Sequence, residues 1–277
     1  MSGCTSCTSS DGCSKDKGKC LIENNPSNNV KKIIGVMSGK GGVGKSSISA
    51  LLAKNLKQLG YSVGVLDADI TGPSIPRLLG LQGKRAGMDK KLMVPVETCD
   101  GIKVMSLNLL TEKEDDPVIW RGPMIAGVVK QFWTDVIWGD LDYLVIDMPP
   151  GTGDVALTVM QTIPINGIVM VSVPQDLVSM IVSKAVNMAK TMDINVLGVI
   201  ENMSYITCPD CGKKIKLFNG ESTDGFLKEM DLKLLGELPM LNSISNLSDG
   251  GYESRDESLE LIFNPIVANI LENLGEQ

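Results

Sequence analysis

Ten consecutive residues near the amino-terminal end of the chain combine residue types suited to binding an anion. The stretch SGKGGVGKSS, residues 38–47, contains four glycines, two lysines and three serines. Residues 39–46 fit the pattern G-x-x-x-x-G-K-[ST], in which glycines let backbone N–H groups turn toward phosphate oxygens. The positive end of a following helix adds to the attraction. The stretch therefore predicts a phosphate-binding loop, made of Gly39, Lys40, Gly41, Gly42, Val43, Gly44, Lys45, Ser46 and Ser47.

Further charged residues complete the chemistry expected of such a loop. Lys45 is expected to reach the β- and γ-phosphates and Ser46 to bind Mg²⁺, while Asp147, at the end of an apolar run, is expected to hold Mg²⁺ through water. Asp67 and Asp69 end another apolar run. Because the chain has no histidine, Asp69 is our candidate for orienting the attacking water. These residues predict an ATP hydrolase that uses Mg²⁺.

Short apolar runs alternate with helical patterns along most of the chain. Residues 46–60 and 177–192 place apolar residues at helical spacing, and 81–135 is less regular, with a small hairpin and helices expected. Runs of five to eight residues that are apolar on both faces are typical of parallel strands covered on both sides. The pattern predicts an α/β fold, a doubly wound and mostly parallel sheet with helices on both faces. The predicted strands lie within residues 32–38, 61–69, 142–150, 167–174, 194–203 and 232–239.

Composition narrows the function classes and the domain organisation. The net charge is −7, which argues against a nucleic-acid partner or an anionic membrane surface. No run approaches the roughly 18 apolar residues of a transmembrane helix, and the amino terminus has no apolar core of a signal peptide. We therefore expect a cytoplasmic protein that binds neither membrane nor nucleic acid. Residues 1–30 are interpreted as a flexible, cysteine-containing tail and 31–277 as one ATPase domain.

The cysteines form two groups that could bind a metal. Cys208 and Cys211 form a C-x₂-C pair, which supplies two thiolates where soft tetrahedral sites need four. The simplest completion is the same pair from a second subunit, around either zinc or an iron–sulfur cluster. Four further thiols could enclose a second metal or cluster, or could be idle. They lie in the tail, at Cys4, Cys7, Cys13 and Cys20.

Several motifs resemble those of known families. GKGGVGKS, with its early Lys40, resembles the deviant Walker A loop of the ParA/MinD-type ATPases. DADITGPSIPRLLG, WRGPM, DMPPGTGD and CPDC resemble, more closely, the motifs of the Mrp-type iron–sulfur cluster carriers, and this likeness runs from about residue 32 to the end. The resemblance implies that Lys45 serves its own nucleotide, that Lys40 reaches the nucleotide of a partner subunit, and that Asn202 lies near the adenine.

The same resemblance implies a function. Mrp-type carriers bridge a [4Fe–4S] cluster between protomers through the motif matched by Cys208 and Cys211. Some relatives carry a longer amino-terminal motif, C-x₁₃-C-x₂-C-x₅-C; Cys4, Cys7 and Cys13 match its last three cysteines, while its first is missing and Cys20 is extra. We therefore expect a homodimeric ATPase that delivers a [4Fe–4S] cluster to apo iron–sulfur client proteins.

Two alternatives remain at this point. The first is a positioning ATPase of the MinD or ParA kind. MinD-type proteins end in a basic amphipathic helix, whereas this chain ends in the acidic sequence NPIVANILENLGEQ. The second is a zinc-binding or metal-insertion ATPase, since a C-x₂-C pair also suits zinc.

Overall fold

The computed structural model describes residues 21–70, 72, 74–111, 122–177, 180–208, 210–216, 221–240 and 257–275. The strands are β1 (Asn29–Ser38), β2 (Val63–Asp67), β3 (Gly87–Asp89), β4 (Leu92–Val94), β5 (Val96–Glu97), β6 (Lys103–Met105), β7 (Asp140–Asp147), β8 (Gly167–Ser172), β9 (Val196–Thr207), β10 (Lys214–Lys216) and β11 (Leu234–Pro239). The helices are α1 (Lys45–Gln58), α2 (Ile75–Leu78), a 3₁₀ turn (Leu107–Leu109), α3 (Gly122–Thr134), α4 (Asp154–Thr162), α5 (Pro174–Leu177), α6 (Met180–Thr191), α7 (Glu221–Glu229) and α8 (Glu257–Asn273).

A mostly parallel sheet forms the centre of the molecule. Its strand order is β10-β9-β8-β1-β7-β2-β6-β5, with β11 also paired to β9, and β3 and β4 form a separate hairpin. Within the described chain, the pairs β5–β6 and β9–β10 are the antiparallel ones in this sheet. The predicted fold class is confirmed. Parallel strands bring their carboxyl ends to one edge, so Ser38, Asp67 and Asp147 all lie at that edge.

The central strand β1 shows why the sequence folds into layers. Successive side chains of a strand point to opposite faces. Ile34 and Val36 pack in the core cluster that includes side chains of α1 and α8, while Ile33 and Met37 pack in the cluster that includes side chains of α3, α4 and α6. Both faces of β1 are therefore buried, which explains its continuous apolar run.

Helix α1 follows the phosphate loop directly, and its sequence determines which face is buried and where the helix ends. Ile48, Leu52 and Leu56 recur at helical spacing and are fully buried. The helix ends where Gly60 takes a φ of 94°, with its N–H bonded to the carbonyl of Lys57 and that of Tyr61 to the carbonyl of Leu56. This is the Schellman arrangement, which a glycine adopts without steric cost.

The structure refines several predicted boundaries. The strand predicted over 194–203 extends to Thr207, and within the helix predicted over 177–192 the structure describes the end of α5 at Leu177 and α6 from Met180 to Thr191. The hairpin expected within 81–135 is β3–β4. The same interval also supplies β5 and β6 to the central sheet. Strands of two and three residues carry too little periodicity to be predicted.

Residues that precede Lys31, the predicted start of the ATPase domain, make hydrogen bonds to later parts of the chain. The N–H of Ile22 donates to the carbonyl of Thr162, and the indole N–H of Trp133 donates to the carbonyl of Ile22, each at 2.9 Å. The side-chain amide of Asn28 donates to the carbonyl of Val136 at 2.8 Å. We call residues 21–28 the strap. Residues 1–20, with Cys4, Cys7, Cys13 and Cys20, lie outside the described residues.

Among the described helices, we find none with the length and apolar character needed to cross a membrane.

Candidate functional site

The predicted phosphate loop connects β1 to α1 and takes a conformation that needs glycine. Gly42 and Gly44 have φ values of 82° and 85°, in the left-handed region that favours glycine. Gly44 is the N-cap of α1, and among the described residues no side chain caps this helix. The N–H groups of its first turn are therefore left for a ligand. Apart from the adjacent residues of the chain, no described atom lies within 4 Å of where a Cβ of Gly41 or Gly42 would be, so this part of the loop faces open space.

The cation of Lys45 lies among carboxylates at the carboxyl edge of the sheet. Its Nζ is 2.9 Å from Oδ1 of Asp147 and 3.5 Å from Oδ2 of Asp69, and its side chain is only 6% exposed. Ser46 Oγ donates to Oδ2 of Asp147 at 2.6 Å, and Ser49 Oγ donates to its Oδ1 at 2.7 Å. The structure thus brings together Lys45, Ser46, Asp69 and Asp147, and their predicted roles remain predictions. Ser49 was missed, although it lies one helical turn after Lys45.

Asp67 is buried beside this group. It pairs in register with Asp147 across β2 and β7, and Ser106 Oγ donates to its Oδ2 at 3.0 Å. Burial, followed by the negative charge of Asp147, raises the pKa of Asp67 to about 8, while Lys45 and the Ser106 hydrogen bond oppose that rise. Sequence reasoning preferred Asp69 and could not find Ser106, because Ser106 follows the three-residue strand β6.

Asn202 lies against the phosphate loop. Its Nδ2 donates to the carbonyl of Val43 at 2.9 Å, and a Cβ placed on Gly44 would be only 2.3 Å from that nitrogen. The residue is 1% exposed, and its Oδ1 has no hydrogen-bond partner in the part of the chain that the structure describes. A buried amide oxygen of this kind can accept a hydrogen bond from a ligand.

The remaining predicted residues of the phosphate loop lie around the start of α1. Gly39 is buried behind helix α6, next to Ile181 and Val182, and the N–H of Gly151 donates to the carbonyl of Ser38 at 2.8 Å. Ser47 is half-buried in the first turn of α1, and Lys40 is exposed at the rim, its carbonyl accepting a hydrogen bond from Ser38 Oγ.

Cys208 and Cys211 lie in the turn between β9 and β10. The N–H of Cys208 donates to the carbonyl of Lys213, and the N–H of Gly212 donates to the carbonyl of Cys208. Cys208 is half-buried and Cys211 is exposed. Hydrogen bonds from the backbone N–H groups of Cys211 and Asp210, and from the Cys211 thiol, lower the pKa of the Cys208 thiol. In the described residues, no group of three or more His, Cys, Asp or Glu side chains is arranged to bind a metal ion.

The arrangement is that of a P-loop NTPase. A glycine loop joins a buried strand to a helix that begins at Lys45 and has no side-chain cap among the described residues. Asp147 forms an ion pair with Lys45 and accepts a hydrogen bond from Ser46. The sequence model of one branch of this class, described as ParA: NUBPL iron-transfer P-loop NTPase, matches residues 29–274. The chain belongs to this family.

Individual relatives agree with that assignment. An iron–sulfur cluster carrier protein of Clostridium perfringens is 50% identical and covers 95% of this chain and 99% of its own length. A solved nucleotide-binding protein of Archaeoglobus fulgidus, in complex with ADP and with cobalt, is 42% identical, with a TM-score of 0.73 over 84% of this chain and 92% of its own. MinD of Aquifex aeolicus, at 18% identity and a TM-score of 0.59 over 89% of this chain and 98% of its own, shares the fold.

Proposed function

We propose that this protein is an ATP-hydrolysing iron–sulfur cluster carrier. It holds a [4Fe–4S] cluster between two copies of the chain and passes it to apo client proteins. Family membership and the function named for the Clostridium perfringens relative support carriage of a cluster. The observation that carries the proposal is the pair of the half-buried Cys208 and the exposed Cys211, which supplies two thiols and forms no group of three or more potential metal ligands among the described residues.

The residues at the carboxyl edge fit a nucleoside triphosphate and Mg²⁺. The uncapped first turn of α1 and the open glycines suit the phosphates, and Lys45 supplies the cation for the β- and γ-phosphates. The unpaired Oδ1 of Asn202 suits a donor such as the adenine amino group. Ser46 and Asp147 would hold Mg²⁺, which neutralises phosphate charge when it is bound. Asp69, beside Lys45, orients the attacking water, and the exposed Lys40 reaches the nucleotide of the second copy.

The cysteine pair suits a cargo that must be both held and released. Cys208 donates its thiolate readily because backbone N–H groups lower its pKa, and the thiolate is the form that binds iron. Two copies of the pair complete a four-sulfur shell that neither chain completes alone. The exposed position of Cys211 leaves a cluster open to exchange with a client.

Anaerobic reconstitution tests this proposal. The four tail cysteines are replaced by serine in the full-length chain, so that bound iron is attributable to the remaining thiols. This variant is expected to bind about four irons and four sulfides per dimer. Adding Cys208→Ser and Cys211→Ser should abolish iron binding and leave ATP binding intact, while adding Cys99→Ser, the matched control, should change neither. Iron, sulfide, ATP affinity and molecular mass are measured on each variant.

Three results would contradict the proposal. They are about four irons per dimer in the variant that lacks both Cys208 and Cys211, a complete cluster on a monomer, and zinc without sulfide in protein purified anaerobically.

A further inference from the structure

Strand β9 contains an irregularity between the two sites. Four steps along β9, from Glu201 to Tyr205, match two steps along β11, from Glu237 to Pro239. Residues 202–204 therefore form a β-bulge with two extra residues. At its centre Met203 takes a φ of 54°, a left-handed conformation that a side chain rarely adopts. Bulges next to functional sites commonly change the direction of a side chain.

The bulge brings two side chains to the phosphate loop. Asn202 donates to the carbonyl of Val43 at 2.9 Å, and Met203 Cε lies 4.0 Å from where a Cβ of Gly44 would be. The two side chains thus approach Val43 and Gly44, the last two residues before the uncapped first turn of α1. A change in the loop on binding an anion therefore reaches Asn202 and Met203 directly.

The other end of the same strand carries the cysteine pair. Before the bulge, β9 is paired with β8 from Val196 to Glu201 and with β11 from Val199 onward. After it, Tyr205, Ile206 and Thr207 pair with β10, whose three residues are all exposed. Cys208 follows at once and is hydrogen-bonded to the residues of its own turn. Tyr205 is also still paired with Pro239 of β11 and accepts a hydrogen bond from the N–H of Met240 at 2.8 Å. The anchored part of β9 thus ends at Tyr205, just after the bulge, and Ile206 and Thr207, which lead to the cysteines, are paired with the short exposed strand β10.

We propose that the bulge at 202–204 couples the phosphate loop to the cysteine pair, so that nucleotide binding changes the exposure of Cys208 and Cys211. This inference rests on the proposed function, because it needs a nucleotide at the loop. Asn202 and Met203 act as positioning residues. The Oδ1 of Asn202, which has no hydrogen-bond partner among the described residues, and the left-handed backbone of Met203 are both unfavourable. Unfavourable local geometry of this kind persists where the surroundings fix it, and it clusters at switching segments.

Site-resolved alkylation tests the coupling on the full-length, reduced chain without a cluster. Iodoacetamide rates are measured with and without saturating Mg²⁺ and a non-hydrolysable ATP analogue. The protein concentration is one at which light scattering gives the same mass in both conditions. Trypsin places Cys208 and Cys211 in the peptide 191–213 and Cys99 in the peptide 92–103. Cys99 lies beyond the amino end of β6, at the opposite edge of the sheet, and serves as the internal control.

In the wild type we expect the nucleotide to change the rate at Cys208 and Cys211 by about fivefold or more, the lower end of typical coupling between sites. The rate at Cys99 should stay constant. Met203→Gly accepts the left-handed backbone but removes the contact with the loop, so it should bind nucleotide and reduce the effect to less than about twofold. Asn202→Ala should also reduce the effect of nucleotide on the alkylation rate. Ile206→Ala, in the same strand but away from the loop, should leave that effect unchanged.

The outcomes separate this inference from the function on which it rests. Saturated nucleotide binding with unchanged rates in the wild type, or an undiminished effect in Met203→Gly, would overturn the coupling alone. Failure of the wild type to bind nucleotide would overturn both the coupling and the proposed ATPase function.

Discussion

At the scale of single residues, Asp67 shows how its surroundings change one carboxyl group. An ordinary aspartate has a pKa near 3.8, whereas burial beside Asp147 raises that of Asp67 to about 8. Between these two values the folded chain keeps a proton that the unfolded chain has lost. The stabilising contribution of Asp67 is therefore complete below about pH 4 and is lost as the pH rises toward 8. The chain has no histidine, whose titration would overlap this range.

Replacing Asp67 by asparagine should make the stability of the fold depend less on pH between about pH 5 and 8.5. Asp67→Asn is uncharged at every pH, so its melting temperature should exceed that of the wild type at about pH 8.5 and differ less at about pH 5. Thermal unfolding without nucleotide measures both values. Asp142→Asn is the control: hydrogen bonds from Lys31 and Ser62 lower the pKa of Asp142 to about 2, so this carboxyl is ionised at both pH values. If the melting temperature of Asp67→Asn depended on pH as that of the wild type does, the raised pKa of Asp67 would be contradicted.

The residues of the site were predictable to the extent that phosphate chemistry dictates them. Lys45, Ser46 and Asp147 could be predicted because a glycine loop and a strand-ending carboxylate have few other uses together. Ser106 could not, because its hydrogen bond to Asp67 depends on which strand lies beside β2. Asn202 was placed by resemblance alone, and nothing in the local sequence predicts its hydrogen bond to Val43.

At the scale of elements, the longer buried strands were predictable, whereas the shortest strands and the bulge in β9 were not. β1, β7 and β8 each contain an apolar run, because both faces of the strand are buried there. β10 has three exposed residues, so burial leaves no pattern in its sequence. The bulge in β9 depends on the register with β11, a contact between distant parts of the chain, which a local pattern does not encode.

Close approach of β9 and β11 leads to a prediction at this scale. Gly198 has a φ of 147°, and a Cβ there would lie 2.6 Å from the backbone carbonyl oxygen of Lys233. Backbone cannot move aside as a flexible side chain does, so Gly198→Ala should destabilise the fold by about 1–3 kcal/mol, as overpacking usually does. Urea unfolding measures the change. Gly127→Ala in α3 is the matched control, since apart from its chain neighbours and the adjacent backbone of its own helix no described atom lies within 4 Å of the added Cβ, and it should be neutral or stabilising.

At the scale of the whole molecule, the strap ties the first described residues to elements that come much later in the chain. Ile22 and Asn28 bond to Thr162, Trp133 and Val136, which belong to or border elements formed more than a hundred residues later. A chain beginning at Leu21 keeps all of these contacts, whereas one beginning at Lys31 loses them together with the first two residues of β1.

Two truncated chains test this boundary. The chain beginning at Leu21 should melt within about 2 °C of the full-length protein. The chain beginning at Lys31 should melt several degrees lower, because at this chain length each 1 kcal/mol lost lowers the melting temperature by about 2–4 °C. Equal melting temperatures for the two truncated chains would show that the strap adds nothing to stability. Both should bind nucleotide, since both contain the phosphate loop.

The hydrogen bond between Trp133 and Ile22 also gives the strap an optical signal. The indole is 3% exposed, so its fluorescence arises from a nearly dry environment. Water around an indole moves its emission to longer wavelength. In a chain in which Trp133 is the sole tryptophan, detachment of the strap should therefore shift the fluorescence emission maximum to longer wavelength. Stopped-flow mixing would then time that detachment without any attached dye.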